Sequence, residues 1–206
     1  MSAVEKAAQS TAIPAIGEAY GGGFVTGITR DPDTGVRCLH ITAGAEHELK
    51  GAWGEYGKKI EGADSFTNSR SNTEAMAAAD SELAKQVLAL EIGGFTDWAI
   101  PARDVQELQY RHFKPTTEEN WQYGRSGDNP NSEPVGLLHT ESDPLQTVHE
   151  AFREGNAEAF RDAAYWSSSQ RSANYAFSMY FDDGTQYSGV KVIDFRVRPV
   201  RSEVIQ

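Results

Sequence analysis

Residues 175–185 read YAFSMYFDDGT, and this stretch decides the fold. Its large apolar side chains fall at every second position, which is the period of a half-buried strand. Asp183-Gly184 follows the alternation and predicts a tight hairpin turn, because glycine tolerates the positive φ that such a turn requires. We therefore expect a strand followed by a turn. The apolar face of this strand, which packs on the core, is expected to consist of Tyr175, Phe177, Met179 and Phe181.

The neighbouring segments extend this pattern in both directions. Residues 165–169 (YWSSS) precede it, and in residues 190–201 the apolar Ile193, Phe195 and Val197 alternate with charged side chains. Such alternation is typical of antiparallel sheets with one buried and one solvated face. The sequence predicts that the chain ends in an antiparallel meander with one apolar and one polar face.

Length and charge exclude several classes of protein. With 206 residues and 39% hydrophobic content the chain can bury the core of one domain. Its net charge of -11 argues against binding to nucleic acid or to anionic membranes. No stretch reaches the roughly 18 consecutive apolar residues of a membrane span. Residues 1–16 lack the apolar segment of a secretory signal, so we expect no nucleic-acid partner, no membrane insertion and no signal peptide.

The N-terminal half predicts a tether, a hairpin and a loop. Residues 1–19 are rich in Ala, Ser and Gly and read as an N-terminal tether or leader, which leaves residues 20–206 as the domain. Two β-branched runs, Gly21–Ile28 and Gly35–Thr42, flank the turn sequence DPDTG and predict a first hairpin. Residues 47–70 show no sustained period, which predicts an ordered loop.

Two to three helices are expected between the β elements. Ser71 to Glu74 has the spacing of a capping box and predicts one helix of about twenty residues that ends at Gly93-Gly94. A second helix is predicted over Asp104–His112. A third is predicted to begin at Asp143-Pro144 with Leu145, Val148 and Phe152 facing the core. The fold class is α+β, with antiparallel sheets, two to three helices and long loops.

Several segments carry a resemblance to a known family. They are GGGFV (21–25), IGGFTDWAIP (92–101), YWSS (165–168) and FRVRPVR (195–201), together with RHFKPTTEEN (111–120) and GDNP (127–130). The first four resemble the DUF1566 family, also called the C-terminal domain of the Legionella collagen-like adhesin, over about residues 20–201. The last two segments are shared with the stand-alone versions that tailed bacteriophages encode. The chain departs from the family at Ala99 and Ala102, where an Arg and a helix-capping Thr are usual, which leaves Asp104 or a water to cap the helix.

The resemblance implies a C-type lectin-like fold and a non-enzymatic bacteriophage virion protein. The expected role is tail-associated, in host-surface recognition and adsorption; the alternatives are a structural capsid or tail decoration protein and a phage factor that stays in the host cytoplasm. The implied partners are other virion proteins, bound through the N-terminal segment, and a host surface glycan or protein. A homo-oligomer is expected, with trimers the arrangement that the adhesin resemblance suggests. A fold alone does not fix a function, so these remain expectations.

Metal and cofactor sites are weakly supported by the sequence. His139, Glu141, Asp143 and His149 lie within eleven residues, but a zinc site needs three or four ligands in one closed set and Asp143 is explained as a helix cap. Residues 128–134 (DNPNSEP) offer oxygen ligands for calcium, yet lack the Glu-Pro-Asn or Gln-Pro-Asp triplet of sugar-binding C-type lectins. We predict no cofactor and no metal, with calcium left open.

Catalysis is also predicted to be absent. Ser167-Ser168-Ser169 lies at a strand without a Gly-x-Ser-x-Gly elbow, so the hydroxyls are interpreted as structural. Gly21-Gly22-Gly23 precedes a strand and not a helix, unlike a phosphate-binding loop.

The remaining aromatic and polar side chains define the expected recognition surface, since Tyr, Trp and Arg dominate such surfaces. The ligand-binding candidates are Trp121, Tyr123, Arg125, Arg171, Asn174, Tyr180 and Tyr187.

Overall fold

The structure is a computed structural model that describes residues 13–206. Over this range the chain forms two largely antiparallel sheets and three α-helices, which confirms the predicted α+β class. The helices are α1 (Ser69–Ala78), α2 (Glu82–Leu88) and α3 (Arg103–Phe113). The strands are β1 (Ala19–Tyr20), β2 (Gly23–Arg30), β3 (Arg37–Thr42), β4 (Leu49–Ala52), β5 (Ser132–Glu133), β6 (Ala164–Gln170), β7 (Tyr175–Tyr180), β8 (Gln186–Val190), β9 (Asp194–Val197) and β10 (Val200–Ile205).

The first sheet contains the predicted N-terminal hairpin. Its strand order is β1-β2-β3-β10, and β5 also pairs with β2. Strands β2 and β3 are antiparallel across the Asp31–Gly35 turn, which the carboxylate of Asp31 fixes by accepting from the Thr34 amide at 2.9 Å. The hairpin that the turn residues Asp31–Gly35 predicted is therefore confirmed.

The second sheet contains only part of the predicted meander. Its order is β4-β9-β6-β7-β8, and β6, β7 and β8 are consecutive antiparallel strands. Gly184 has φ 74°, as the hairpin turn requires. The prediction for residues 190–201 was wrong: β9 pairs with β4 and runs parallel to β6, whereas β10 pairs with β3 in the first sheet. Pro199 separates the two strands, because a residue without an N–H cannot continue a ladder.

The predicted apolar face was wrong at two positions. Tyr175 and Ile193 are exposed, whereas Ala176 and Ser178 are buried. Strand β7 is covered on both faces: Ala176 belongs to the core cluster of Trp166, and the Phe177 ring meets Phe66 edge-on at 5.5 Å. Alternation therefore does not separate core from surface in this strand.

The predicted twenty-residue helix is two helices. α1 begins after Asn68, whose side chain accepts from the Ser71 amide at 3.0 Å, so the cap lies three residues before the predicted one. The break falls at Asp80, which has φ 71° and stops the α-helical path. Ser81 then caps α2. The apolar positions Met76, Leu83 and Val87 are nevertheless buried together, as the spacing predicted.

Two further local predictions were wrong. The third helix is absent from the described residues, where the segment forms a single 3-10 turn over Glu150–Phe152. Phe152 is buried, but Leu145 and Val148 are 71% and 79% exposed. Residues 47–70 are not only a loop, because they include β4 and the start of α1.

Helix α3 lies between the two sheets and contacts both of them. It contacts β2 in the first sheet and β6 and β7 in the second. Its Tyr110 and Phe113 enter one core cluster with Phe152, Tyr165 and Phe181. The expected cap at Asp104 is not formed: Ala102 is the N-cap, and the Ser69 and Ser169 hydroxyls accept from the Ala102 and Arg103 amides at 2.9 and 3.0 Å.

Residues 1–12 lie outside the described part of the chain, and with them most of the predicted tether. Within residues 13–19 the Gly17 amide donates to the Val25 carbonyl at 2.8 Å, and β1 pairs with β2. None of the helices between residues 13 and 206 is both long and apolar enough to cross a bilayer.

Candidate functional site

A groove on the outer strands of the second sheet brings together three of the seven predicted ligand-binding residues. Its volume is about 570 Å³, within the range of roughly 300 to 1,000 Å³ that small-molecule sites occupy. We call it the tyrosine groove. It is lined by Arg171, Tyr175, Ser178, Tyr180, Tyr187, Ser188, Gly189, Val190, Ile193 and Phe195.

Three tyrosines give the groove its exposed aromatic surface. Tyr187 is 60% exposed, and Tyr175 and Tyr180 are 41% and 36% exposed. Tyr180 and Tyr187 share one face of the β7–β8 pair, because the register places Tyr187 opposite Ser178, two residues from Tyr180; Tyr175, at the start of β7, alternates to the other face. Because these strands are fixed by the β6–β7–β8 ladder, the rings are displayed from a rigid scaffold. Each ring offers an apolar face and a polar hydroxyl.

Small residues shape the groove between the tyrosines. A Cβ placed on Gly189 would come within 2.5 Å of the Trp166 ring and 2.6 Å of the Phe195 ring. Any larger residue would displace those two rings, so the strand needs glycine at this point. The neighbouring Ser178 is 2% exposed, and its hydroxyl has no hydrogen-bond partner within residues 13–206. A buried hydroxyl without a partner is costly, and a bound ligand can supply the missing hydrogen bond.

Arg171 is the charged residue among those that line the groove. Its Nη1 donates to the Ser188 hydroxyl at 2.8 Å. The other lining side chains are aromatic, aliphatic, hydroxyl-bearing or glycine, with no carboxylate among the described lining residues. The described lining side chains therefore carry one positive charge, on a chain whose net charge is -11.

The other predicted aromatic residues lie on an adjacent loop. Trp121 and Tyr123 are 64% and 54% exposed, and Arg125 is also exposed. This loop is tied to the β7–β8 hairpin because the Trp121 amide donates to the Asp183 carbonyl at 2.8 Å. A hydrogen bond to Glu141, together with the charge of that carboxylate, raises the pKa of Tyr123. The loop is therefore a second exposed patch beside the groove and does not line it.

Asn174 lies at the end of β7 away from the loop. It is half-buried and does not line the groove. Its carbonyl accepts from the Lys191 amide at 3.1 Å, which closes the start of the β7–β8 ladder. The structure thus brings Arg171, Tyr180 and Tyr187 together and leaves Trp121, Tyr123, Arg125 and Asn174 outside the groove.

Sequence reasoning missed several residues of the groove. Tyr175 was assigned to the core, and Ser178, Ser188 and Gly189 were not considered. The run Ser188-Gly189 inside a strand was an available signal, because small residues in a strand mark a close approach by another group.

The four residues weighed as a zinc site are not brought together. His139 is buried with its Nε2 3.5 Å from Glu107 Oε1, whereas the His149 ring lies 5.9 Å from the Phe113 ring. Asp143 and Glu141 are exposed. Within residues 13–206 no group of three or more His, Cys, Asp or Glu side chains has the arrangement of a metal site.

The segment weighed as a calcium site fixes a loop to α3. Asn129 Nδ2 donates to the Asp104 carbonyl and to Glu107 Oε2, both at 2.8 Å. Asn131 Nδ2 donates to Asp104 Oδ2 at 2.8 Å. Burial raises the pKa of Asp104 to about 6. These contacts hold residues 128–133 against the first turns of the helix.

Two groups of hydroxyl-bearing residues bear on catalysis. Ser167, Ser168 and Ser169 are fully buried in β6, which agrees with their structural interpretation. Elsewhere, His40 lies between two hydroxyls, with Nδ1 2.9 Å from Ser202 Oγ and Nε2 2.7 Å from Thr29 Oγ1. Burial lowers the pKa of His40 to about 3. The described partners of His40 are hydroxyls and include no carboxylate to stabilise an imidazolium, so this arrangement links strands and is a poor general base.

Comparisons with known proteins add no relative. A scan against protein-family models finds no match to the chain, and a search of the curated proteins finds no related sequence. The resemblance to the adhesin family therefore stays a prediction that rests on the motifs in the sequence.

Proposed function

We propose that this chain is a non-enzymatic bacteriophage virion protein of the DUF1566 type, with a C-type lectin-like domain that takes part in recognition of the host surface. The proposal places the protein in the virion, associated with the tail, and attached to other virion proteins through residues 1–19. A homo-oligomer, such as a trimer, would present several copies of the binding surface and raise the avidity for a repetitive cell surface.

The tyrosine groove is the observation that carries this proposal. Exposed tyrosines beside serine and glycine are the residue types that recognition surfaces favour, because tyrosine supplies contact area at low conformational cost. The rigid sheet behind Tyr180 and Tyr187 reduces that cost further. Glycoside hydrolysis normally requires two carboxylates at the scissile bond, and the described lining residues include none. The arrangement favours binding without turnover.

Binding of the purified protein to host cells tests the proposal. We expect the wild-type chain to sediment with cells on which the phage forms plaques, and not with phage-resistant derivatives that lack the receptor. Tyr187→Ala and Tyr180→Ala should each reduce the bound fraction. If whole virions bind these cells and the purified oligomer does not, host recognition by this chain is excluded.

A second candidate function is favoured by a separate surface. Five large aliphatic side chains between residues 135 and 148 are exposed to between 46% and 79% of their area. Several exposed apolar side chains in one segment are typical of protein–protein contacts, and a decoration protein of the capsid or tail would cover such residues during assembly. They are Val135, Leu137, Leu138, Leu145 and Val148.

Localisation within the particle distinguishes the two functions. Cryo-electron microscopy of purified virions should show the chain at the tail, with the tyrosine groove facing outward, if it recognises the host. Density on the head, with the groove covered by a neighbouring subunit, would favour decoration. Absence of the chain from purified virions by mass spectrometry would contradict both and favour a factor that stays in the host cytoplasm.

A further inference from the structure

We infer that the tyrosine groove binds an anionic saccharide, with Arg171 holding a sugar carboxylate. This inference rests on the proposed function, since it names the ligand class of the same surface. It commits the groove to acidic polysaccharide and not to a peptide, a neutral glycan or a lipid.

The charge distribution favours an anionic group. The described residues that line the groove include one cation and no acid. Several other arginines of the protein have a carboxylate within ion-pair distance, including Arg37 with Glu133 at 2.8 Å and Arg201 with Asp97 at 2.8 Å. Within residues 13–206, no such ion pair includes Arg171. A guanidinium forms paired hydrogen bonds with a carboxylate, and only Nη1 of Arg171 is engaged, by Ser188.

The remaining lining residues match the two-sided chemistry of a sugar ring. A pyranose has an apolar C–H face and a rim of hydroxyl groups. The exposed rings of Tyr180 and Tyr187, which share one face of the β7–β8 pair, can cover the C–H face, and their hydroxyls can reach the rim. The Ser178 hydroxyl lines the groove, is almost fully buried and has no partner in the described chain, so a sugar hydroxyl that reached it would supply the missing hydrogen bond. An apolar ligand would leave this hydroxyl unpaired.

A peptide strand fits the groove less well. Strand β8 is the edge of the second sheet, and an extended peptide would bind by adding to that edge. The edge is already occupied at one point, because the Gln186 amide donates to Ser126 Oγ at 3.3 Å. A peptide would have to displace this contact, whereas a saccharide over the tyrosines leaves it in place.

Calorimetry with the full-length protein tests the inference. The probes are polygalacturonate, alginate and polysialic acid, each paired with a counterpart whose carboxylates have been reduced to alcohols. We expect at least one acidic probe to bind, its reduced counterpart to bind about 10- to 100-fold more weakly, as the loss of a charged hydrogen-bonded pair predicts, and added salt to weaken the binding.

Variants identify the residue that carries the effect. Arg171→Gln should cause the same 10- to 100-fold loss toward the acidic probe and abolish the difference between the acidic and reduced probes. Arg161→Gln is the matched control, because Arg161 is exposed and does not line the groove. Tyr187→Ala should weaken both the acidic and the reduced probe. Circular dichroism of each variant checks that it is folded.

The outcomes separate this inference from the proposed function. Failure of all three acidic probes to bind, equal binding of the reduced probes, or an unchanged affinity in Arg171→Gln would each overturn the anionic ligand. If Tyr187→Ala still abolishes sedimentation with host cells in that case, host recognition through the groove stands with another ligand. If neither variant changes cell binding, both the inference and the role of the groove are excluded.

Discussion

Two regions of the molecule use the same residue types in opposite ways. One is the long connection between α3 and β6 (residues 114–163), and the other is the tyrosine groove. Arg111, beside the connection, interacts with Glu107 and donates to the carbonyls of Gly127 and Leu137, whereas the described hydrogen bond of the Arg171 guanidinium goes to the Ser188 hydroxyl. Tyr110 is fully buried with its hydroxyl on Asn120, whereas Tyr187 is exposed. Residue type alone therefore does not indicate function here; burial and pairing separate structural groups from those free to bind.

Removing the buried charge of α3 that holds the connection in place should have the largest effect on stability. Glu107 is fully buried and accepts from Arg111 Nε at 2.7 Å and Asn129 Nδ2 at 2.8 Å. Glu107→Ala removes the only carboxylate paired with the half-buried Arg111 among the described residues and one acceptor of Asn129, although both side chains keep carbonyl partners, which should lower the free energy of unfolding by about 3 kcal/mol. Urea denaturation measures the loss. Glu119→Ala, at an exposed position of the same connection, should change it by less than about 0.5 kcal/mol; equal effects would contradict the comparison.

Asn120 should be the next most sensitive position. Its Oδ1 accepts from Tyr110 and Lys114 at 2.7 and 2.9 Å, and its Nδ2 donates to the carbonyls of Thr140 and Pro144 at 3.0 Å. Asn120→Ala should cost about 2 to 3 kcal/mol, because several buried groups lose their partner. Hydrogen exchange should become faster in residues 114–149 and stay slow in β6 and β7. Uniformly faster exchange would mean that the connection and the sheet do not open separately.

Asp104 should give the connection a pH-dependent stability. Burial raises the pKa of Asp104 to about 6 in the folded chain, against about 4 in an unfolded one. Between pH 4 and pH 6 the folded state therefore binds a proton that the unfolded state has already released. The contribution of Asp104 to stability is greatest below pH 4 and is lost as the pH rises through 6. Asp104→Asn should raise the free energy of unfolding at pH 8 by about 1 to 2 kcal/mol and have little effect near pH 4.

Denaturation at both pH values checks this prediction against a matched variant. Asp64 is exposed, so Asp64→Asn should leave the difference between pH 4 and pH 8 unchanged. If Asp104→Asn destabilises the protein at pH 8, the hydrogen bond from Asn131 to the Asp104 carboxylate outweighs the cost of burying that charge.

The sequence predicted elements whose signals are local. The Asp31–Gly35 turn, the Asp183-Gly184 turn and the helix over residues 104–112 all form close to where they were expected. The break at Asp80 was not predicted, because the apolar spacing of Met76, Leu83 and Val87 continues across it and gives no sign of the left-handed residue between. The long-range pairing of strands also could not be predicted, because no local feature of β10 indicates that it pairs with β3 and not with β9.

The candidate site was predictable in part for the same reason. Exposed aromatic and basic types identified Arg171, Tyr180 and Tyr187, and the structure places these three in one groove. The serines and the glycine between them could not be ranked from the sequence, because Ser178 matters through its burial and its missing partner, which are properties of the assembled sheet.

The smallest effect on stability is expected in the groove itself. Tyr187 is 60% exposed on an edge strand, so Tyr187→Ala removes little buried area and should change the free energy of unfolding by less than about 0.5 kcal/mol. Tyr165→Ala is the matched contrast: that ring is 1% exposed and packs on Phe160 and Phe181, so about 3 to 5 kcal/mol should be lost. Thermal and urea unfolding of both variants measure the difference. A stability loss of several kcal/mol in Tyr187→Ala would show that the ring supports the sheet, and its exposure would then no longer argue for a ligand.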